Sequence, residues 1–107
     1  MMRFEELLRA AVAKGATDLH LSSGLPPFVR ISGQLTPLFP QASALDGRQS
    51  EELLAQIVPQ RAATELAENG EADFSWGLPS VGRFRINVYR QRGTLSAAVR
   101  LIPYRLP

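Results

Sequence analysis

With 107 residues, 45% of them hydrophobic, the chain has the size and composition of one globular domain built on a single core. It contains no cysteine and one histidine, which excludes disulfides, thiolate metal sites and multi-histidine metal centres and leaves any Ser-His-Asp arrangement dependent on His20 alone. The net charge of +2 hides a division: all ten acidic residues lie at or before Asp73, so residues 1–73 carry −4 and residues 74–107 carry +6. Arg83, Arg85, Arg90, Arg92, Arg100 and Arg105 make up that second charge, and such asymmetry points the C-terminal third at an anion or an acidic partner. No apolar run approaches the ~18 residues of a membrane span, and the acidic, amphipathic start lacks a signal-peptide core, so a cytoplasmic protein is expected.

Phe4, Leu7, Leu8, Ala11 and Val12 recur at helical spacing, which predicts an amphipathic helix from Arg3 to Lys14, ended by Gly15 in the left-handed conformation. Asp18-Leu19-His20-Leu21-Ser22 alternates polar and apolar, the pattern of a half-buried strand. Ser23-Gly24-Leu25-Pro26-Pro27 is a turn, because proline cannot donate to a ladder and glycine permits unusual dihedrals. Phe28 to Ser32 is a second strand, and Gly33-Gln34 a tight turn into a third, Leu35 to Phe39, which Pro37 restricts to an edge. After a polar connection over 40–50, Leu53, Leu54, Ile57 and Val58 mark a helix that Asp46 or Ser50 is placed to cap. Pro59 breaks that pattern and suits the first turn of the next helix, Gln60 to Glu68, which stops at Asn69-Gly70. Alternation returns in Ala72, Phe74 and Trp76. A turn over 78–82, a strand from Arg83 to Gln91, a hairpin connection at Arg92-Gly93 and a strand from Thr94 to Ile102 complete the pattern. The order α-β-β-β-α-α-β-β-β predicts an α+β fold, with a largely antiparallel sheet and helices packed on it.

The last two strands carry the most information. Side chains alternate between faces, so Phe84, Ile86 and Val88 point to the core while Arg83, Arg85, Asn87 and Tyr89 share the other face. In the partner strand Leu95, Ala97, Val99 and Leu101 form the apolar row, and Arg100 lies opposite them with Ser96 and Ala98. A hairpin thus presents Arg83, Arg85 and Arg100 together, either as a solvated sheet face or as an anion-facing surface. Like charges that close repel, and a compensating anion would stabilise them. His20, beside Asp18, suits a structural hydrogen bond better than catalysis, since it has no matched nucleophile and orienting group. Asp73 is placed to pair with one of the arginines, and Trp76 to join the core. There is no GxxxxGK[ST] phosphate loop and no GxGxxG, so a nucleotide, if one is involved, has its main binding site elsewhere. A ligand-sensing domain would need a cavity lined by residues such as Phe28, Phe74 and Trp76. A nucleic-acid surface would expose aromatics for stacking, whereas Phe84 points inward, so no direct nucleic-acid partner is expected.

Ala16-Thr17-Asp18-Leu19-His20-Leu21-Ser22-Ser23-Gly24-Leu25-Pro26-Pro27 and Arg30-Ile31-Ser32-Gly33, followed by Asp73-Phe74-Ser75, Gly82-Arg83-Phe84-Arg85-Ile86-Asn87 and Arg100-Leu101-Ile102-Pro103, resemble the opening of the type IV pilus retraction (twitching motility, PilT-like) ATPases, within the type II/type IV secretion ATPase superfamily. The order and spacing are the family's, over essentially the whole chain, and Thr17 stands where serine is typical. The Ser-Gly-Leu-Pro-Pro continuation favours the twitching-motility branch over the pilus-assembly branch. The resemblance implies a PAS-like N-terminal domain over 1–102, with 103–107 beginning a linker to a RecA-like motor domain that would hold the phosphate loop. It implies a regulatory and assembly role, without catalysis by this stretch alone, in a homo-hexameric ATPase at the inner-membrane platform of the pilus. ATP and Mg would belong to the motor domain of the full-length protein, the partners of this stretch would be the motor domains of the same and neighbouring subunits, and it would bind no cofactor or metal by itself. By the same resemblance the domain closes over the nucleotide and contributes arginines toward the γ-phosphate: Arg85 from Phe84-Arg85-Ile86-Asn87 first, with Arg83 and Arg100 behind it.

Overall fold

The computed structural model describes residues 2–103. Helix α1 spans Phe4–Ala13 and is followed by three short strands, β1 (Asp18–Leu21), β2 (Phe28–Ile31) and β3 (Gln34–Pro37). Helices α2 (Gly47–Ala55) and α3 (Gln60–Asn69) lead to three long strands, β4 (Glu71–Leu78), β5 (Gly82–Gln91) and β6 (Thr94–Pro103). The expected α+β order is the one observed, and it builds one six-stranded sheet in the order β3-β2-β1-β6-β5-β4 with every neighbouring pair antiparallel. The first strand therefore sits between β2 and β6, and the helices all pack on one face, α2 against β6 and α3 against β4.

Local chemistry explains the boundaries. Asp46 caps α2: its Oδ1 accepts from the Gln49 amide at 2.8 Å while Gln49 Oε1 accepts from the Asp46 amide at 2.9 Å, a reciprocal capping box. Ser50, the other candidate cap, lies inside the helix, buried, with its hydroxyl donating to the Gly47 carbonyl. Ile57 stays in the core although α2 has already ended. Pro59 occupies the N-cap of α3 rather than its first turn, and Gly70 closes that helix at φ 82°, donating its amide to the Leu66 carbonyl at 2.9 Å. The β2–β3 hairpin turns on Ser32-Gly33, one residue earlier than the sequence suggests, and the β5–β6 hairpin on Arg92-Gly93. Both residues of each turn have positive φ, the requirement of a tight two-residue hairpin.

The core lies between the helices and the covered face of the sheet: Phe4, Leu7 and Leu8 of α1, Leu54 of α2, Leu19, Val29, Phe84, Ile86, Val88 and Val99 are all nearly inaccessible. The start of α1 is clamped by Gln56, whose Oε1 accepts from the Phe4 amide at 2.8 Å and whose Nε2 donates to the Met2 carbonyl at 3.0 Å. Phe4 also meets Trp76 of β4 edge to face, with ring centroids 6.0 Å apart, so Trp76 is half-buried at the margin of the core.

Candidate functional site

Among the described residues the other face of the sheet carries no helix. Strict alternation along β5 puts Phe84, Ile86 and Val88 under the helices and leaves Arg83 and Arg85 exposed. The β5–β6 register then sets Arg85 directly opposite Arg100, with Arg83 two residues along, opposite Ile102. The three arginines chosen from sequence share this face, and Arg83 lies diagonal to Arg100 instead of facing it. Directly opposed residues on neighbouring strands have Cβ atoms about 4.5–5.5 Å apart, where like charges destabilise.

Pairing of β1 with β6 adds a residue that local sequence could not connect to this row. Asp18 stands opposite Arg100 on the side away from Arg85, with its Oδ1 3.7 Å from Arg100 Nε. Beyond it, Arg30 of β2 faces Asp18 and donates through Nη1 to the Gly33 carbonyl of its own hairpin at 3.0 Å. The row thus reads Arg30, Asp18, Arg100, Arg85, Ser75 across five strands. Arg85 makes no ion pair or side-chain hydrogen bond among the described residues. A shallow depression of about 400 Å³ runs over the pair, lined by Asp18, Asp73, Arg85, Asn87, Arg100 and Ile102 among others.

Several expectations change here. Among the described residues Asp73 pairs with no arginine; its Oδ1 accepts from Asn87 Nδ2 at 3.1 Å, because Asn87 is its direct partner across β4 and β5. Asn87 also donates to Glu71 at 3.3 Å. His20 makes no side-chain hydrogen bond among the described residues; it stacks on Phe28, its partner across β1 and β2, with centroids 5.2 Å apart and ring planes 20° apart. Burial beside Phe28 holds the imidazole below its ordinary pKa, with the Asp18 carboxylate pulling the other way and Arg30 adding to the lowering. Phe28 lies on the open face while Phe74 lies on the covered one, so Phe28, Phe74 and Trp76 cannot line one ligand cavity.

The charge division along the chain does not survive as a division in space. Arg90 points to the helix face and pairs with Glu51 of α2, Arg92 sits in the last hairpin turn, and Arg105 lies outside the described residues. Asp18, Glu71 and Asp73 share the open face with the arginines. What remains is a local excess of positive charge at Arg83, Arg85 and Arg100, suited to a multiply charged oxyanion that a planar guanidinium can grip in bidentate fashion. Among the described residues no group of three or more His, Asp or Glu side chains is placed to hold a metal ion, and no helix is long and apolar enough to cross a membrane.

An antiparallel sheet with helices packed on one face is consistent with the N-terminal PAS-like domain of a PilT-like ATPase, and known proteins match the chain in sequence and in fold. The chain is 36% identical over 102 residues to the type IV pilus retraction ATPase PilT of Pseudomonas aeruginosa, and 31% identical over 106 residues to the type IV pilus ATPase PilU of the same organism. The crystal structure of the pilus retraction motor PilT with bound ADP superposes on the whole chain with a TM-score of 0.90 at 36% identity. The ATPase DotB of Legionella pneumophila shares the fold, with a TM-score of 0.75 at 23% identity over 96% of the chain. No protein-family model matches. In each case this chain is nearly all matched yet spans only 27–31% of the relative's length.

Proposed function

We propose that this chain is the N-terminal regulatory and assembly domain of a type IV pilus retraction ATPase, and that it closes over a nucleotide held by a separate motor domain. In this role Arg85 is the principal contact to the terminal phosphates, with Arg100 and Arg83 beside it. The domain occupies residues 1–102, and 103–107 begin the connection to a RecA-like motor unit that binds ATP and Mg. The assembly is a cytoplasmic homo-hexamer working at the inner-membrane platform of the pilus. The observation that carries the proposal is the exposed pair Arg85 and Arg100, directly opposite each other on the uncovered sheet face, with Arg85 unpaired among the described residues.

The chemistry is that of phosphoryl transfer. Little covalent work falls to the protein, and catalysis comes from positioning and from neutralising charge on the transferred group. An arginine supplied by a second domain does this only when the domains close, which ties turnover to motion. Because β5 is fixed on both sides by β4 and β6, Arg85 is presented from a rigid element instead of a loop.

The test is turnover in the full-length enzyme. Arg85→Ala is expected to lower kcat by roughly 10³-fold or more, the scale of an arginine supplied in trans, while ATP affinity falls far less. Wild-type turnover in that variant would remove Arg85 from the mechanism. The 107-residue chain alone is expected to neither bind ATP tightly nor hydrolyse it. The reading frame past Pro107 is expected to encode a GxxxxGK[ST] loop; a frame that stops there would sink the proposal.

A further inference from the structure

We infer that Asp18 is the positioning residue for Arg100: it holds the guanidinium by its Nε edge and so presents the terminal amines, beside Arg85, to an oxyanion of the phosphate class. The inference rests on the role proposed above for Arg85 and Arg100, and it concerns a carboxylate to which that role assigns nothing.

The geometry is specific to atoms. The contact to Asp18 Oδ1 runs through Arg100 Nε at 3.7 Å, longer than a hydrogen bond, so it orients the group by charge without capturing it. A guanidinium approached from its Nε side keeps part of its fork free for a second anion. The two partners differ in freedom. Asp18 is anchored, its side chain 20% exposed and its Oδ2 accepting from the Thr17 hydroxyl at 2.7 Å, whereas the Arg100 side chain is 73% exposed. Arg30, on the far side of Asp18, is committed to the Gly33 carbonyl, which leaves Arg100 as the cation that Asp18 acts on.

Electrostatics gives this contact a task. Arg85 and Arg100 face each other directly, and two guanidiniums so placed repel. One carboxylate beyond Arg100 reduces the net charge of the three groups to +1 and draws Arg100 along the row, away from Arg85. Two arginines can then stand side by side before any anion arrives. Removing the carboxylate has two opposed effects: the face becomes more positive, and Arg100 loses its direction.

In the full-length enzyme, Asp18→Asn is therefore expected to lower kcat about threefold to fivefold, the scale of an exposed ion pair, while KM for ATP does not rise. Lysine has no Nε edge and no planar fork, so in an Arg100→Lys background Asp18→Asn is expected to cause no further loss, and Asp18→Glu should restore part of kcat in the native background. A second readout uses the 107-residue chain without nucleotide: the side-chain ¹⁵Nε–H signal of Arg100 should be more ordered in the native chain than in Asp18→Asn. If Asp18→Asn costs the same kcat in the native and the Arg100→Lys backgrounds, or if the Arg100 signal is indifferent to Asp18, the inference is overturned. If Arg85→Ala and Arg100→Ala both leave turnover intact, the phosphate role itself has failed, and the Nε order alone then decides whether Asp18 directs Arg100.

Discussion

Among the described residues Ser96 is the one polar side chain on the open face that is almost fully covered, 1% exposed, and its hydroxyl has no hydrogen-bond partner there. A buried hydroxyl without a partner costs more than its methyl replacement. Ser96→Ala is therefore expected to leave stability unchanged or to raise it by up to about 1 kcal/mol, read as the urea midpoint at constant slope; a clear loss would expose a partner the geometry does not. His20 gives a pH dependence of definite sign. Its folded pKa is lowered, chiefly by burial, so the unfolded chain takes up the proton first. Stability should fall as the pH drops below about 6.5, the unperturbed imidazole value, and level off once the folded imidazole is itself protonated. His20→Gln should flatten that slope in denaturation curves taken between about pH 5 and 8. At this scale, alternation made the inward and outward residues of β5 legible, because the side-chain period along a strand is fixed. Partners across strands were not legible. Asp73 was free to meet an arginine until the register gave it Asn87, and His20 was free to seek a hydrogen bond until the register placed Phe28 against it.

Elements were legible wherever a local signal ended them. Glycine at the end of α3 is one case, since Gly70 holds φ 82°, a conformation that disfavours a side chain. The cap of α2 is another, although sequence offered both Asp46 and Ser50 and only the capping geometry chose. Asp46→Ala should cost about 1 kcal/mol of stability, measured by chemical denaturation. Asp46→Asn, which keeps an acceptor for the Gln49 amide, should recover most of it. The β5–β6 hairpin was readable from Arg92-Gly93, and with it the shared face of Arg83, Arg85 and Arg100. The row that completes the site was not, because β1 meets β6 only through a pairing between opposite ends of the chain. No short-range pattern encodes that pairing, and so Asp18 read as a neighbour of His20 when its more consequential neighbour is Arg100.

At the level of the whole molecule, the sheet order places the earliest strand at the centre, flanked by β2 and the last strand, β6. Closing that contact requires nearly the full chain, and non-local pairings of this kind are formed late and slowly. A chain shortened to remove β6 (94–103) should lose β1's partner as well as β5's, and is expected to show no cooperative unfolding transition and poor amide dispersion. A truncated form that still unfolds cooperatively would mean that the fold does not depend on the contact between β1 and β6. The edge-to-face contact between Phe4 and Trp76 has an optical counterpart. Trp76 is the sole tryptophan, it belongs to the edge strand β4, and its aromatic neighbour begins α1. The intrinsic emission of the protein is thus a local gauge of whether the first helix is seated on the sheet. A red shift preceding the loss of far-ultraviolet ellipticity would mark α1 lifting off as a separate step, and coincident curves would show helix and sheet melting as one.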